Sequence, residues 1–297
     1  MHGSPNALES FARGTRLATP FGESPVERLA QGDMVLTRTG PAAIRWTATR
    51  TACDPPGQIR IAAHAIDGKL PRRDLVLCAD LAVVIDGLTL PITGLVNGAT
   101  IVHDPVPHEQ IQLALNHAPG IVAEGLTIAR APETSAPHGP AVIGMHARLL
   151  EQAQRLGWSL TDAPALHLVV DDERITPARM DRGWYAFPIP GGVRDMRIVS
   201  RAASPADLDP QTPDTRRLGV MIDRLVLRCR QREREFALRD RALAEGFHPP
   251  ESDGLAAARW TDGNARLRLT RAARTRAELL VHVERGQVYW VGPSASQ

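Results

Sequence analysis

One hydroxyl side chain near the start of this 297-residue chain is the first candidate for chemistry. Ser10 stands immediately before Phe11 and a few residues before the turn Gly14-Thr15. A serine hydroxyl placed this way can attack the carbonyl carbon of the preceding peptide bond and turn the Glu9–Ser10 amide into an ester. The departing nitrogen is a poor leaving group unless it is protonated, so the reaction needs a proton donor and a group that stabilises the oxyanion.

A second group of candidates follows the apolar run 75–77. Cys78 and Asp80 are the polar residues there, and Leu81 starts a further apolar run that ends at the turn Asp86-Gly87. A thiol and a carboxylate can both take part in proton transfer. Leucine cannot.

Together these stretches resemble the Hint family, the self-processing module shared by hedgehog C-terminal regions and inteins. In that family the first residue is normally Cys, followed by an apolar residue, two small positions and Gly-Thr; here Ser10 takes the first place. The pattern V-E-x-L-x-x-G-D-x-V-L is matched in order by 26–36, and Ala-Glu-Gly-Leu by 123–126. The resemblance covers residues 10–130 and points to the bacterial branch of the family.

The resemblance implies a site with missing parts. It places a Ser or Thr at Cys78 and the proton-donating His at Leu81, and His117 lies one place away from a second family His. Loss of a positioned proton donor lowers a rate by roughly 10²–10⁴-fold. We therefore expect a degenerate autoprocessing site and a scaffold or interaction role. The alternative is slow hedgehog-like self-cleavage at Glu9–Ser10, with Ser10, Cys78, Asp80 and His117 as catalytic candidates.

The C-terminal half carries a softer resemblance, to β-sandwich modules attached to bacterial Hint domains and glycosyltransferases. It rests on 246–251 and on the segment that contains Trp260, Asp262 and Asn264. An exposed indole offers a flat apolar face to a sugar ring, and neighbouring polar groups can bind hydroxyls. Glycan binding at these three residues is thus a further alternative. The competing interpretation puts Trp260 in the core and a hairpin turn at Asp262-Gly263.

Composition excludes several classes of protein. The chain is 43% hydrophobic and 23% charged with a net charge of +2, which is typical of a globular protein and too weakly basic to indicate nucleic acid. Arg228, Arg230, Arg232 and Arg234 alternate as on one strand face, but acidic neighbours dilute them. No run is long enough to span a bilayer. We expect no cofactor, no metal, no membrane contact and an unknown protein or glycan partner.

The three cysteines, Cys53, Cys78 and Cys229, lack metal-ligand spacing. Since three cannot all pair within one chain, the sequence favours unpaired thiols and a reducing compartment. With no apolar leader segment near the start, a cytoplasmic location is expected. Export by an unrecognised route stays open.

The pattern of elements predicts a mainly β protein. Short apolar runs separated by turn residues indicate strands, at 34–37, 43–47, 58–63, 75–77, 82–85, 88–92 and 111–115, and later at 166–170, 174–175, 184–188, 193–200, 277–283 and 287–291, with a strand pair at 218–227. The clearest helix is 144–157, and 233–245 is either a short helix or a charged loop. The predicted architecture is an extension (1–9), a Hint-type all-β domain (10–130), a linker (131–143), and a connecting helix with a β-sandwich (144–297).

Overall fold

The computed structural model describes residues 8–51, 57–115, 120–131, 139–230, 232–240, 243, 245–251, 258–269 and 276–293. The chain divides into two compact units. Unit 1 comprises Met1–Trp158, Ala206–Gln211 and Gly292–Gln297, and unit 2 comprises Ser159–Pro205 and Thr212–Val291. The mainly β fold class predicted from the sequence is confirmed.

The described part of unit 1 contains a sheet of thirteen strands. Most of the described sheet follows the strand order β10-β6-β7-β1-β11-β5-β4-β12-β13-β8-β9, with β2 pairing β12 and β3. The strands are β1 (Leu8–Ala12), β2 (Arg16–Thr19), β3 (Gly22–Pro25), β4 (Met34–Thr37), β5 (Gly40–Arg50), β6 (Gln58–Ile61), β7 (Leu75–Cys78), β8 (Leu81–Ile85), β9 (Leu88–Pro91), β10 (Ile101–Asp104), β11 (Gln110–Leu115), β12 (Ile121–Ala123) and β13 (Leu126–Arg130). Two short 3₁₀ turns lie at Val26–Arg28 and Ile92–Leu95.

The predicted hairpin of unit 1 forms as its turn residues dictate. Asp86 and Gly87 both have positive φ, at 50° and 78°, which is the geometry that a two-residue turn between twisted strands requires. This turn joins β8 to β9, which pair from Ala82↔Pro91 to Ile85↔Leu88. The local sequence was therefore sufficient to place this hairpin.

The long helix α1 (Pro140–Arg155) begins four residues before its predicted start. Pro140 occupies the first helical position, where its missing N–H costs no hydrogen bond, and Gly157 follows the helix with φ 89°. Val142, Met145 and Leu149 pack into the same apolar core as the strands of unit 1. The helix thus lies with the first unit, whereas the sequence had grouped it with the second.

The described residues of unit 2 form three sheets. A four-stranded sheet has the order β16-β15-β19-β23, a larger one has the order β17-β18-β24-β20-β21 with β22 beside β20, and β14 pairs with β25. The strands are β14 (Ser159–Thr161), β15 (His167–Val170), β16 (Glu173–Ile175), β17 (Arg179–Asp181), β18 (Trp184–Ile189), β19 (Asp195–Val199), β20 (Met221–Cys229), β21 (Arg232–Glu235), β22 (Arg259–Trp260), β23 (Asn264–Arg268), β24 (Ala277–Arg285) and β25 (Tyr289–Val291). A four-residue helix, α2, spans Pro205–Leu208, and all of it except Pro205 belongs to the unit 1 segment Ala206–Gln211.

One apolar core joins the two larger sheets of unit 2. It takes Leu168, Ile198 and Leu267 from the four-stranded sheet, and Phe187 and Leu279 from the larger sheet. The alternation of more and less buried positions along β24 places one face of that strand in the core. The other face of β24 is therefore available for contacts outside the core.

The segment around residue 230 differs from the sequence interpretation. Met221–Cys229 is one strand rather than a strand pair, Arg230 has φ 54°, and Arg232–Glu235 returns as the antiparallel strand β21. The four alternating arginines therefore do not share one strand face, because a turn separates the first from the last two. The start of the segment 233–245 is likewise strand, which neither the helix nor the loop interpretation anticipated.

None of the described helices is long and apolar enough to cross a membrane.

Candidate functional site

The candidate nucleophile lies inside a strand rather than at its start. Ser10 is the third residue of β1 and pairs with Gln112 of β11, while Glu9 pairs with Leu113. On the other side, Phe11 pairs with Leu77 of β7, so antiparallel register brings Cys78 beside Ser10. The Glu9–Ser10 peptide bond is therefore part of a paired strand, and residue 9 belongs to the sheet instead of to an extension.

The strand register places Ser10 in a row of polar side chains across five strands. Directly opposite residues share a face, and successive pairs join Asp104, Gln58, Cys78, Ser10 and Gln112. We call this set the Ser10 row. It unites two of the sequence candidates, Ser10 and Cys78, with two glutamines and an aspartate that carried no recognisable signal in the sequence.

Hydrogen bonds hold much of the Ser10 row to the segment that leads into β11. The side chains of Gln58 and Gln110 both donate to the carbonyl oxygen of His108, at 3.4 and 3.3 Å, and the His108 amide donates to Gln58 Oε1. Gln110 Oε1 lies 3.8 Å from Cys78 Sγ. The His108 ring lies 3.1 Å from Asp104 Oδ2. These polar groups position backbone, which is a structural use of residues near the candidate nucleophile.

Cys78 departs from the expectation of unpaired thiols. It is disulfide-bonded, whereas Cys229 is not in a disulfide. A disulfide sulfur carries no proton and is no acid or base. Cys78 therefore cannot stand in for the hydroxyl of the family pattern while the disulfide is intact.

Asp80 and Leu81 lie in different environments. Asp80 is exposed and forms an ion pair with Arg130 at 3.6 Å, and its carbonyl oxygen accepts a hydrogen bond from Ala131. Leu81 is 1% exposed and belongs to the apolar core that also contains Phe11, the residue after Ser10. The position at which the resemblance places the proton donor therefore holds a buried aliphatic side chain. His117 falls outside the described residues.

Glu9 is a residue that sequence reasoning missed. Its side chain alternates to the opposite face of β1 from Ser10, the face that carries Phe11 and Leu113 into the core, and it is 3% exposed. The Oε2 atom has no hydrogen-bond partner among the described residues. Burial without a compensating charge raises the pKa of Glu9 from 4.5 to about 8. The signal was available: residues at i and i+2 of a strand share a face, and Phe11 is plainly a core residue.

The Ala-Glu-Gly-Leu segment of the family pattern, 123–126, has a structural explanation. Glu124 and Gly125, with φ 48° and 87°, form the turn between β12 and β13. The Glu124 carboxylate accepts the Arg16 amide at 2.8 Å and pairs with Arg73 at 2.9 Å, while its backbone bonds Arg16 and Arg72. A Cβ on Gly125 would lie 2.6 Å from Leu70. Both residues build the fold, and neither needs a catalytic role.

The pattern matched by residues 26–36 also stabilises the fold. Glu27 accepts a hydrogen bond from the amide of Gly14, and Asp33 accepts one from Ala30. Val26 is fully buried. The residues that made the pattern recognisable are therefore those that hold turns and core together.

A family model described as the Hint domain matches residues 9–129 of this chain. Residues 9–129 are a Hint domain. Among solved structures, the gp41-1 intein shows 14% identity and a TM-score of 0.32, covering 42% of this chain and 99% of that one. A bacterial intein-like domain from Clostridium thermocellum shows 13% and 0.32, covering 41% and 99%, and the MchDnaB-1 intein shows 18% and 0.28 with the same coverage. A search of curated proteins finds no match.

For the C-terminal candidates the structure agrees with the competing interpretation, in which Trp260 is buried. Trp260 is 6% exposed and packs with Leu218 and Met221 in a small apolar cluster. Asp262 Oδ1 accepts the Asn264 amide at 2.7 Å, which fixes the turn into β23. The indole therefore offers no free face to a sugar at this position.

No group of three or more metal-ligating side chains occurs in the part of the chain that the structure describes.

Proposed function

We propose that the Hint domain of this protein is retained uncleaved and serves as a scaffold or interaction module. The observation that carries the proposal is Leu81, which fills the position of the family's proton donor and lies within the core. Hint-type cleavage breaks an amide whose nitrogen must be protonated as it leaves. A leucine cannot supply that proton.

Two further observations support the proposal. The Glu9–Ser10 peptide bond lies in the middle of β1, and every residue of β1 pairs with β11. Attack by the Ser10 hydroxyl would make the Glu9 carbonyl carbon tetrahedral within a backbone that strand pairing holds. Cys78 is committed to a disulfide, and Asp80 is exposed and paired with Arg130.

The competing function is slow self-cleavage at Glu9–Ser10. In that reaction the Ser10 oxygen bonds to the Glu9 carbonyl carbon, the carbon–nitrogen bond breaks, and the freed nitrogen takes up a proton to leave an ester. Hydroxylamine cleaves an ester without reducing a disulfide, whereas dithiothreitol reduces the disulfide as well. Cleavage in dithiothreitol but not in hydroxylamine would therefore indicate that the disulfide restrains Ser10. No cleavage in either reagent would indicate that Ser10 is inactive.

Intact-mass spectrometry after prolonged incubation tests the proposal. We expect wild type and Ser10→Ala to stay full length in buffer, in hydroxylamine and in dithiothreitol. A fragment that begins at Ser10, formed by wild type and absent from Ser10→Ala, would establish self-cleavage and overturn the proposal.

A further inference from the structure

The outer face of the larger sheet in unit 2 carries a trench that follows from strand register. The residues Ala186, Leu280 and Val226 lie directly opposite one another on β18, β24 and β20. All three have short or medium side chains and point away from the core. They form the floor of the trench, which runs across the strands.

Longer side chains form the two walls. One wall lies two residues along the strands from the floor and consists of the paired residues Trp184, His282 and Arg224. The other wall lies two residues away in the opposite direction and consists of Pro188, Glu278 and Arg228. Because residues two apart in a strand share a face, both rows stand on the same side as the floor. The Cα traces of the walls are about 13 Å apart, and the three floor strands span about 10 Å.

The depth of the trench is visible in the exposure of its floor. Ala186 and Val226 are each 5% exposed although they face away from the apolar core. The trench encloses about 370 Å³, within the range of small-molecule sites. Asp181 and Glu233 also line it, each opposite a wall residue, Trp184 and Arg228 respectively.

The charged groups along the trench form donor–acceptor pairs. Arg179 and Arg228 both bind Glu278, at 3.1 and 3.4 Å, and Arg228 also binds Glu233 at 2.7 Å. Arg224 binds Glu235 at 3.0 Å and lies over the Trp184 ring, 5.4 Å from its centroid. Each guanidinium retains N–H donors and each carboxylate retains lone pairs beyond these contacts. The three arginine side chains are 41–69% exposed, so these remaining groups are open to a ligand.

We propose that this trench binds a neutral linear oligosaccharide. Guanidinium–carboxylate pairs can engage adjacent hydroxyl groups as donor and acceptor, the apolar floor suits the C–H faces of sugar rings, and the indole adds apolar surface to one wall. A polyanion would meet the carboxylates of Glu278, Glu233 and Asp181 beside the arginines. An extended peptide that adds to a sheet needs an open strand edge, whereas this trench crosses strands whose backbone groups are already paired.

Isothermal titration with four neutral hexasaccharides, namely cellohexaose, xylohexaose, maltohexaose and chitohexaose, tests the proposal on the full chain. We expect wild type to bind at least one of them, and Trp184→Ala to bind it about tenfold more weakly, since loss of one aromatic contact is worth about 1.4 kcal/mol. Trp46→Ala, which removes an exposed tryptophan of unit 1, is the matched control and should bind as wild type does.

Three outcomes would overturn the proposal. They are no binding of any hexasaccharide at about 1 mM, equal binding by wild type and Trp184→Ala, or tighter binding of a heparin fragment or single-stranded oligonucleotide than of every neutral sugar. Thermal unfolding checks that Trp184→Ala is folded. If it is not, Arg228→Gln on the opposite wall replaces it, with the same expected loss.

Discussion

Two short regions of the Hint domain match its family pattern to different degrees. At 123–126 the pattern is complete, and Glu124 and Gly125 each have a packing or hydrogen-bonding reason. At 78–81 the frame is kept but the chemical residues are replaced, by a disulfide-bonded Cys78 and a core Leu81. On the proposed function, matches coincide with fold-building roles and mismatches with catalytic ones.

The largest expected effect tests whether the interior beside Ser10 is truly apolar. Because the pKa of Glu9 is about 8 in the folded state and 4.5 when exposed, folding is favoured by protonation. The contribution of protonated Glu9 to the free energy of unfolding should be fully present below about pH 4.5 and lost by about pH 8. The loss over this range should be on the order of 5 kcal/mol. We expect Glu9→Gln to remove this part of the pH dependence, as measured by denaturant unfolding across that range.

Glu151→Gln, on the exposed side of α1, is the control for a generic loss of one carboxylate. Parallel stability curves for wild type and Glu9→Gln between those pH values would show that Glu9 is solvated or paired, and the contrast between the two faces of β1 would then fail.

The second prediction asks whether the mismatched region lacks only its chemical groups. If so, Ser10→Cys combined with Leu81→His should restore cleavage after Glu9, with the imidazole contributing roughly 10²–10⁴-fold over Ser10→Cys alone. Intact mass and N-terminal sequencing report the product. A histidine buried at this position weakens the core, so the double variant must first show cooperative unfolding.

A folded double variant that stays full length would mean that more of the site has changed than these two positions. The single variant Leu81→His, which lacks the thiol, should remain uncut in either case.

The smallest expected effect tests the matched region. Gly125→Ala forces a positive φ and a clash with Leu70, and should destabilise the domain by about 2–3 kcal/mol. Gly87→Ala has a similar φ, 78°, with open space around the new Cβ, and should cost only about 1 kcal/mol. Equal losses in thermal or denaturant unfolding would show that close packing against Leu70 is not what the Ala-Glu-Gly-Leu motif provides.

Local sequence determined much of the fold. Short apolar runs bounded by Gly, Pro, Asn and Asp located twelve of the 25 described strands within two residues at both ends. Asp86-Gly87 specified its own turn because only a few residue types adopt positive φ. Gly157 marked the helix end for the same reason. The ordered family patterns were by themselves enough to identify the Hint domain.

Tertiary structure decided what depends on contacts between distant residues. Strand register placed Cys78 beside Ser10 and turned Glu9 into the core, and pairing in unit 2 lined up Ala186, Leu280 and Val226 as the floor of a trench. Tertiary structure also placed a turn between β20 and β21 at Arg230 and buried Trp260. The physical reason is that periodicity along one strand fixes which residues share a face. Which partners those residues meet, and whether water reaches them, is set by strands far away in the chain.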